Sequence, residues 1–132
     1  MPGLAPVRFP TAGLLDQLAA KGALKPTTLF DNVGYGLTSY WPTSYTFPQG
    51  RMRSTSKFSG LRRTRMELLA NAKAGYGGVC FFDSGAPVLR HQTDTAVAIT
   101  SGGDALCVAL NTPARLDIPD ARGFYGAFVQ LP

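Results

Sequence analysis

The stretch Gly77-Gly78-Val79-Cys80-Phe81-Phe82-Asp83-Ser84-Gly85-Ala86-Pro87 carries the strongest fold signal in this chain. At its centre a serine stands in a tight turn, directly behind an aspartate and ahead of a glycine. A serine hydroxyl is a weak nucleophile until a neighbouring base removes its proton. The stretch therefore predicts a turn that presents Ser84, and its chemistry depends on what the rest of the chain supplies.

Length and composition indicate one β-rich domain. The 132 residues have room for a single modest core. With 16% charged residues, 15 glycines and 10 prolines, the chain is typical of a turn-rich β protein more than of a helical bundle. No segment reaches the roughly 18 apolar residues of a membrane span, and no basic-then-apolar signal follows Met1.

The net charge of +5 is mild for a chain of this size. Its cations are scattered apart from one basic strip, formed by Arg51, Arg53, Lys57, Arg62, Arg63 and Arg65. Mild basicity is usually a solvated face, so nucleic acid is not an expected partner.

Two cysteines, Cys80 and Cys107, stand 27 positions apart. They fit either two buried free thiols or one structural disulfide, and the second alternative implies an oxidising compartment. With one histidine and two distant cysteines, the chain offers no metal site, and it lacks a Gly-rich phosphate loop. We therefore expect no metal and no cofactor.

Local patterns predict a helix near each end. After a linker over Met1–Pro10, Thr11–Leu24 reads as an amphipathic helix with Thr11 as its N-cap and Gly22 closing it. Pro119–Val129 reads as a terminal helix, with Asp117 or Asp120 near its start.

Between these helices the patterns favour strands and turns. Leu37–Gly50, with three prolines, predicts an ordered loop, and Leu61–Ala74 is ambiguous, since its propensity favours helix while its apolar residues alternate. Ser101-Gly102-Gly103-Asp104 is a strong turn signal. The predicted strands are Phe30–Gly36, Arg51–Gly60 (as an exposed strand), Ala96–Thr100 and Ala105–Leu110.

The stretch from Cys80 to Pro87 resembles the nucleophile loop C-x-G-D-S-G-G-P of trypsin/chymotrypsin-like serine proteases, bacterial secreted type. Other landmarks follow in the order of the second half of such a protease, and the resemblance covers nearly the whole chain. Cys107 falls where the disulfide partner of Cys80 is expected. The remaining landmarks are Pro10–Asp16 with Gly22–Leu24, Val33-Gly34-Tyr35-Gly36, Ala98–Gly103, and Arg115–Asp117 with Ala121–Phe124.

The resemblance implies an all-β fold with short helices. Residues 27–132 would form a six-stranded antiparallel β-barrel, the C-terminal half of the two-barrel protease fold, and residues 1–26 a linker and connector helix. A C-terminal helix would follow the last strand. In relatives the ambiguous region is a strand, so the resemblance favours a strand over Arg65–Ala70. It also implies a secreted or periplasmic protein.

By family position Ser84 is the nucleophile, and the backbone N–H groups of Phe82 and Ser84 form the oxyanion hole. Gly78 is the floor of the specificity pocket, where a glycine favours an apolar side chain over Arg or Lys. The substrate-binding residues implied by the resemblance are Gly78, Val79, Ser101, Gly102 and Gly103.

Two departures weaken this chemistry. Phe82 replaces a glycine, and its Cβ disfavours the backbone angles that glycine allows, so the oxyanion donor is expected to be misdirected. In the family Asp83 pairs with an N-terminal amine released by zymogen cleavage; without it Asp83 is either an unpaired carboxylate or a cap of its own turn.

The family's base and its orienting aspartate belong to the N-terminal barrel, which this sequence does not contain. The only histidine, His91, follows Ser84 by seven residues. An extended segment carries it up to about 20 Å away, so we expect a solvent-exposed histidine at a hairpin tip and no dyad with Ser84.

Two functions follow from these observations. The first is a truncated or split serine endopeptidase half, inactive alone and acting on a peptide or protein substrate once an N-terminal barrel completes it. Its exposed interbarrel face would bind a partner chain or a second copy in a homodimer. The second is a non-catalytic protein-binding module on a degenerate protease fold, with the basic strip as its contact surface. Neither involves a membrane.

Overall fold

A computed structural model describes residues 5–41 and 44–132. The first four residues of the predicted linker lie outside this range, as do Pro42 and Thr43 of the predicted loop. The described chain is mostly β-structure with two short helices. In chain order the elements are α1 (Leu14–Ala20), β1 (Leu29–Gly34), β2 (Ser39–Trp41), β3 (Ser44–Thr46), β4 (Met52–Leu61), β5 (Met66–Leu69), a 3₁₀ turn (Ala72–Ala74), β6 (Pro87–Arg90), β7 (Ala96–Ile99), β8 (Leu110–Asn111), β9 (Ala114–Arg115) and α2 (Pro119–Tyr125).

Seven strands form one curled antiparallel sheet in the order β8-β5-β4-β1-β6-β7-β9. Register shifts between Phe58 and Gly60 and between Val88 and Leu89 bend two of its ladders. Because β8 and β9 are adjacent in the chain, the two edges of the sheet also come together. An isolated bridge joins Arg65 to Ala114 there. The result is a half-barrel.

The strand count differs from the six that were expected. Thr112 and Pro113 interrupt the last extended segment, since proline has no N–H to give to a ladder. The part before the interruption pairs with β5 and the part after it with β7. One segment is therefore divided into two short strands, each on a different edge of the sheet.

The inward face of the sheet and one helix build the core. Leu15 of α1 is fully buried among residues from β1, β4, β5, β6 and β7, while Leu14 and Leu18 pack at its edge. The core consists of Leu15, Phe30, Phe58, Met66, Leu68, Val88, Val97 and Ala98. Its side chains are apolar and contiguous, so they hold the sheet and α1 together as one unit.

Several predicted elements differ in extent, type or exposure. The terminal helix ends at Tyr125 and not at Val129, and the strand that was predicted to be exposed, β4, lies inside the sheet with Ser56 and Phe58 buried. The first helix spans Leu14–Ala20, because Gly13 has a left-handed backbone (φ 64°) that ends helical geometry before Thr11 can act as a cap. The predicted loop contains the β2–β3 hairpin. Ala105–Leu110 is not a strand: only Leu110 is paired in the sheet, and the residues before it form a turn.

Part of the predicted linker is bound to the sheet. Arg8 forms a parallel bridge with Thr95, and its side chain lies 2.8 Å from the Asp94 carboxylate. Arg122 of α2 donates a hydrogen bond of 2.7 Å to the Pro10 carbonyl. These contacts fix the chain ahead of α1 against β7 and the C-terminal helix.

Candidate functional site

Residues 80–86 form a tight turn between the 3₁₀ turn and β6. The Asp83 N–H donates to the Cys80 carbonyl, and the Ala86 N–H donates to the Asp83 carbonyl. Gly85 and Thr100 then link the turn to the end of β7, through a bond of 2.9 Å from the Gly85 N–H. The turn is therefore held at both ends by backbone hydrogen bonds, which leaves its tip in solvent.

Ser84 occupies the exposed tip of this turn. Its hydroxyl makes no hydrogen bond to any residue in the described part of the chain. Over the same residues, neither the Phe82 N–H nor the Ser84 N–H donates to a protein acceptor. Chemically, the tip thus presents one hydroxyl and two backbone donors to solvent.

Asp83 anchors the turn from below. One of its oxygens accepts the Gly36 N–H at 2.8 Å, and the other accepts the Cys80 N–H at 3.0 Å. Of the two alternatives for this carboxylate, the structure shows the capped turn. The close approach requires glycine on the facing strand end, because a Cβ on Gly36 would lie 2.5 to 2.7 Å from the carboxylate atoms. Gly34 meets the same carboxylate.

We expect Gly36→Ala to lower the free energy of unfolding by about 2 to 3 kcal/mol, since its methyl group displaces a carboxylate that holds two backbone N–H groups. Urea denaturation followed by circular dichroism measures the change. Gly50→Ala is the matched control, because nothing lies within 4 Å of a Cβ at Gly50. Equal stability of the two variants would contradict this account of the turn.

Phe82 adopts the left-handed conformation (φ 72°) that glycine favours. A phenylalanine at this position therefore adopts the backbone angle that glycine favours. The side chain is 70% exposed, and its ring lies 5.3 Å from the ring of Phe47. Such aromatic pairs contribute about 0.5 to 1.5 kcal/mol, enough to offset much of the strain of the left-handed residue.

A disulfide between Cys80 and Cys107 connects this turn to the loop before β8, which confirms the predicted pairing. The loop is organised by Asp104, whose carboxylate accepts backbone N–H groups from Leu106, Val108, Ala109 and Leu110. The Asp104 carboxylate thus binds four backbone N–H groups that a strand would otherwise use to pair with its neighbour. This is the physical reason why Ala105–Leu110 forms a turn.

The same contacts predict a pH dependence of stability. Burial opposes ionisation of Asp104, but the four N–H donors outweigh it and lower the pKa of Asp104 below its ordinary value. A lowered folded-state pKa gives stability above the unfolded pKa of about 3.9, and that stability is lost as the pH falls through the folded pKa. We expect Asp104→Asn to cost about 1 to 2 kcal/mol at pH 7 and to flatten the decline below about pH 5.

Urea denaturation between pH 3 and pH 7 tests this expectation. Asp94→Asn is the comparison, since Asp94 is exposed and its pKa is lowered by hydrogen bonding to Arg8 at the surface. That variant should change stability much less than Asp104→Asn does, and mainly at low salt, because the pair is exposed to solvent. An Asp104→Asn profile parallel to that of the unmodified protein would contradict the role of Asp104.

Two cavities open on either side of Ser84, with Phe82 and Ser84 in the walls of both. The smaller has a volume of about 390 Å³. It brings six of the predicted site residues together beside the disulfide of Cys80 and Cys107. They are Val79, Phe82, Ser84, Ser101, Gly102 and Gly103. The larger, of about 770 Å³, extends over Val7, Tyr35 and Met52 on the outer face of the sheet.

Gly78 lines neither of these two cavities. It lines a third cavity of about 400 Å³, which shares Val79 and the disulfide with the smaller one but is not lined by Ser84. Its carbonyl accepts a hydrogen bond of 2.6 Å from the Ser54 hydroxyl. The side chain of Asn111 faces Gly78 and was not among the predicted site residues. No local pattern marks it, since its contacts lie more than 30 residues away.

Arg65 was predicted as part of the basic strip, but not as a neighbour of the cavity beside Ser84. Its guanidinium donates to the Ser101 hydroxyl at 2.8 Å and to the Thr112 carbonyl at 3.0 Å. The Thr112 N–H in turn donates to the Gly102 carbonyl at 2.8 Å. These bonds hold the wall of the smaller cavity from behind.

His91 belongs to a different part of the molecule. Its Nδ1 lies 2.9 Å from an oxygen of Asp31, at the end of β6 opposite to Ser84. The imidazole is 29% exposed, so it is a partly buried partner of Asp31 and not the solvent-exposed tip that was expected. Burial opposes ionisation of Asp31, but hydrogen bonds from His91, Gln92, Thr55 and Arg53 lower its pKa.

Most cations of the basic strip contact other residues of the chain. Arg53 lies 3.1 Å from Asp31, Arg62 pairs with Glu67, and Lys57 sits 4.8 Å from the centre of the Tyr76 ring. With Arg65 bound to Ser101, only Arg51 and Arg63 lack such a contact among the described residues. The strip therefore does not present six free charges to one partner.

No family model matches the chain, and no curated protein matches it significantly. In residues 5–41 and 44–132, no group of three or more His, Cys, Asp or Glu side chains could hold a metal ion. None of the helices in these ranges is long and apolar enough to span a membrane.

Proposed function

We propose that the chain is the nucleophile-bearing half of a trypsin-like serine endopeptidase, inactive alone and completed by a second barrel that supplies the histidine and aspartate. Ser84 is its nucleophile, and the N–H groups of Phe82 and Ser84 are its oxyanion donors. The observation that carries the proposal is an exposed, unbonded serine between two cavities, on a turn held by Asp83 and a disulfide.

The missing base accounts for inactivity alone. A serine without a hydrogen-bonded histidine loses several orders of magnitude in rate. His91 is bound to Asp31 at the far end of β6, so it is not available to Ser84. The base has to come from outside the described residues.

A large apolar face beside Ser84 fits a docking partner. Five side chains on it are between 47% and 70% exposed: Val7, Tyr35, Phe47, Met52 and Phe82. Four of them line the larger cavity, and the ring of the fifth, Phe47, packs against the ring of Phe82. Monomeric proteins rarely leave such a contiguous patch open, and a stable interface buries about 800 Å² on each partner. The face therefore suits the histidine-bearing barrel.

Complementation tests the proposal. The chain is mixed with a separately produced N-terminal barrel of a trypsin-like protease, which carries its histidine and aspartate, and hydrolysis of a blocked peptide ester is measured. We expect hydrolysis above that of either half, abolished by Ser84→Ala. Met52→Asp should prevent it by charging the apolar face, whereas Phe128→Asp, at an exposed position after the end of α2, should not.

Reactivity of the serine gives a second reading of the same mixture. A fluorophosphonate should label Ser84 when the second barrel is present and leave the isolated chain unlabelled. Absence of both hydrolysis and labelling, with association of the halves shown by sedimentation, would exclude the endopeptidase.

The alternative function is a non-catalytic protein-binding module that uses the same apolar face. Phe82 stands where the resembled motif has a small glycine, and its exposed ring packs against Phe47. An exposed aromatic pair beside Ser84 favours the binding module. Sedimentation of the isolated chain bears on both functions, because each needs the face to associate. A chain that stays monomeric and soluble at high concentration would count against docking on this face.

A further inference from the structure

The larger cavity beside Ser84, of about 770 Å³, is apolar over most of its walls but contains three charged side chains. Tyr35 and Met52, which are 64% and 50% exposed, are among its apolar lining. The charged residues that line it are Arg51, Arg53 and Asp83. The partners of these three charges decide what kind of surface can cover the cavity.

Two of the three charges already have partners within the chain. The oxygens of Asp83 accept the Gly36 N–H at 2.8 Å and the Cys80 N–H at 3.0 Å. The guanidinium of Arg53 lies 3.1 Å from the buried carboxylate of Asp31. A protein that covers the cavity therefore meets these two side chains with their hydrogen bonds already made.

The third charge, on Arg51, has no such partner. Arg51 is exposed, and no carboxylate in residues 5–41 and 44–132 forms an ion pair with it. A partner that covers the apolar face removes water from this guanidinium, and a charge that loses its water without gaining a counter-charge is strongly unfavourable. A carboxylate on the partner reverses this effect, because it can accept two parallel hydrogen bonds from a guanidinium.

We infer that the larger cavity is covered by a protein surface that presents a carboxylate side chain among apolar ones, and that this carboxylate pairs with Arg51. The inference deepens the proposed function and rests on it for the identity of the partner as the histidine-bearing barrel. The binding module requires the same carboxylate, since it uses the same face. Arg51 thus selects among apolar partners, because an uncharged or basic surface leaves its guanidinium unpaired or repelled.

Peptide binding tests the inference on the isolated chain. Three blocked tetrapeptides, each of three leucines with one glutamate, glutamine or lysine, are titrated at millimolar concentration while the amide resonances of Tyr35 and Met52 are followed by NMR. We expect the glutamate peptide to bind about three- to tenfold more tightly than the glutamine peptide, and raising the salt to about 1 M should reduce this difference. Arg51→Gln should abolish the preference, and Arg51→Glu should transfer it to the lysine peptide.

Arg63→Gln is the matched control, because Arg63 is also exposed and without an ion pair among the described residues, but it does not line the cavity. This variant should keep the preference for glutamate. A cooperative thermal transition shows that each variant is folded. Equal affinity for the glutamate and glutamine peptides, the same loss of preference in Arg63→Gln, or no binding of any peptide would overturn the inference.

Other occupants of the cavity are distinguished by the same titration. Decanoate carries the same charge on a small amphiphile, so tighter binding of decanoate than of the glutamate peptide would assign the cavity to a small ligand and overturn the inference. A dimer of the isolated chain that excludes all three peptides would make a second copy the occupant, with the same consequence. If the preference for glutamate depends on Arg51 but the completed protein neither hydrolyses peptides nor labels at Ser84, the acidic partner stands and the endopeptidase fails.

Discussion

Arg115→Ala is expected to lower the free energy of unfolding by about 3 to 5 kcal/mol, because it leaves a buried carboxylate without its counter-charge. The Arg115 side chain is 2% exposed and that of Asp117 is fully buried. Two parallel bonds of 2.9 and 3.0 Å join them. Burial opposes the charge of Arg115, but the bonds to Asp117 and Asp16 raise its pKa further above its ordinary value.

The ion pair also connects the C-terminal part of the chain to the N-terminal helix α1. The other side of the guanidinium binds Asp16 of α1, with a closest contact of 2.6 Å. Asp117 accepts the Leu15 N–H at 2.7 Å and so caps the start of the same helix. Removing Arg115 therefore loosens α1 from the sheet, together with the buried Leu15.

Arg62→Ala is the matched control, since Arg62 pairs with Glu67 at the surface with 70% of its side chain exposed. Its loss should lower stability much less than the loss of Arg115, because solvent screens an exposed ion pair. Arg115→Lys keeps the positive charge but cannot make the two parallel hydrogen bonds to Asp117. We therefore expect a smaller loss of stability than for Arg115→Ala, which makes this variant the one more suited to measurement in the folded state. Urea denaturation of the three variants gives the series. A loss for Arg115→Ala as small as that for Arg62→Ala would contradict the role of the ion pair.

Where the sequence predicted structure well, the signal was local. Alternation and turn residues located β1, β4 and β7 within a few positions, because one face of each strand contributes to the core. The ambiguous segment 61–74 was resolved to a strand by the resemblance alone, and β5 forms there. The pairing of Cys80 with Cys107 came from the same source.

Prediction failed where a side chain binds backbone N–H groups, or where two side chains far apart in the sequence form a pair. The apolar run 105–110 has the composition of a strand, yet the Asp104 carboxylate binds the N–H groups that a ladder would need. The pairs of Arg115 with Asp16 and of His91 with Asp31 join residues 99 and 60 positions apart. No periodic pattern in the sequence predicts contacts of this kind.

In the candidate site, too, some parts were predictable from local sequence and others depend on long-range contacts. The turn with Ser84, and the approach of residues 101–103 to it, follow from a short motif and its order along the chain. The Asn111 side chain, in contrast, lies against Gly78 only because β8 pairs with β5. The position of Ser84 is thus set by the local turn, while the surroundings of Gly78 are set by the topology of the sheet.

Loss of the Cys80–Cys107 disulfide is expected to destabilise the chain by about 3.5 kcal/mol, from the entropy that a closed loop of this length removes from the unfolded state. The bond joins the turn of Ser84 to the loop of Asp104, and both carry few apolar contacts of their own. The effect should therefore be largest in these two segments. Urea denaturation of Cys80→Ala/Cys107→Ala gives the global value, and hydrogen exchange of the amides gives its location.

Reduction of the unmodified protein by dithiothreitol should reproduce the double variant, since both remove the cross-link. The core strands β1 and β4 should keep their exchange protection under mild conditions, because their pairing does not involve either cysteine. Should the double variant unfold at the same urea concentration as the unmodified protein, the hydrogen bonds of Asp83 and Asp104 would suffice to hold the two segments. In that case the geometry around Ser84 would be independent of the redox state of its surroundings.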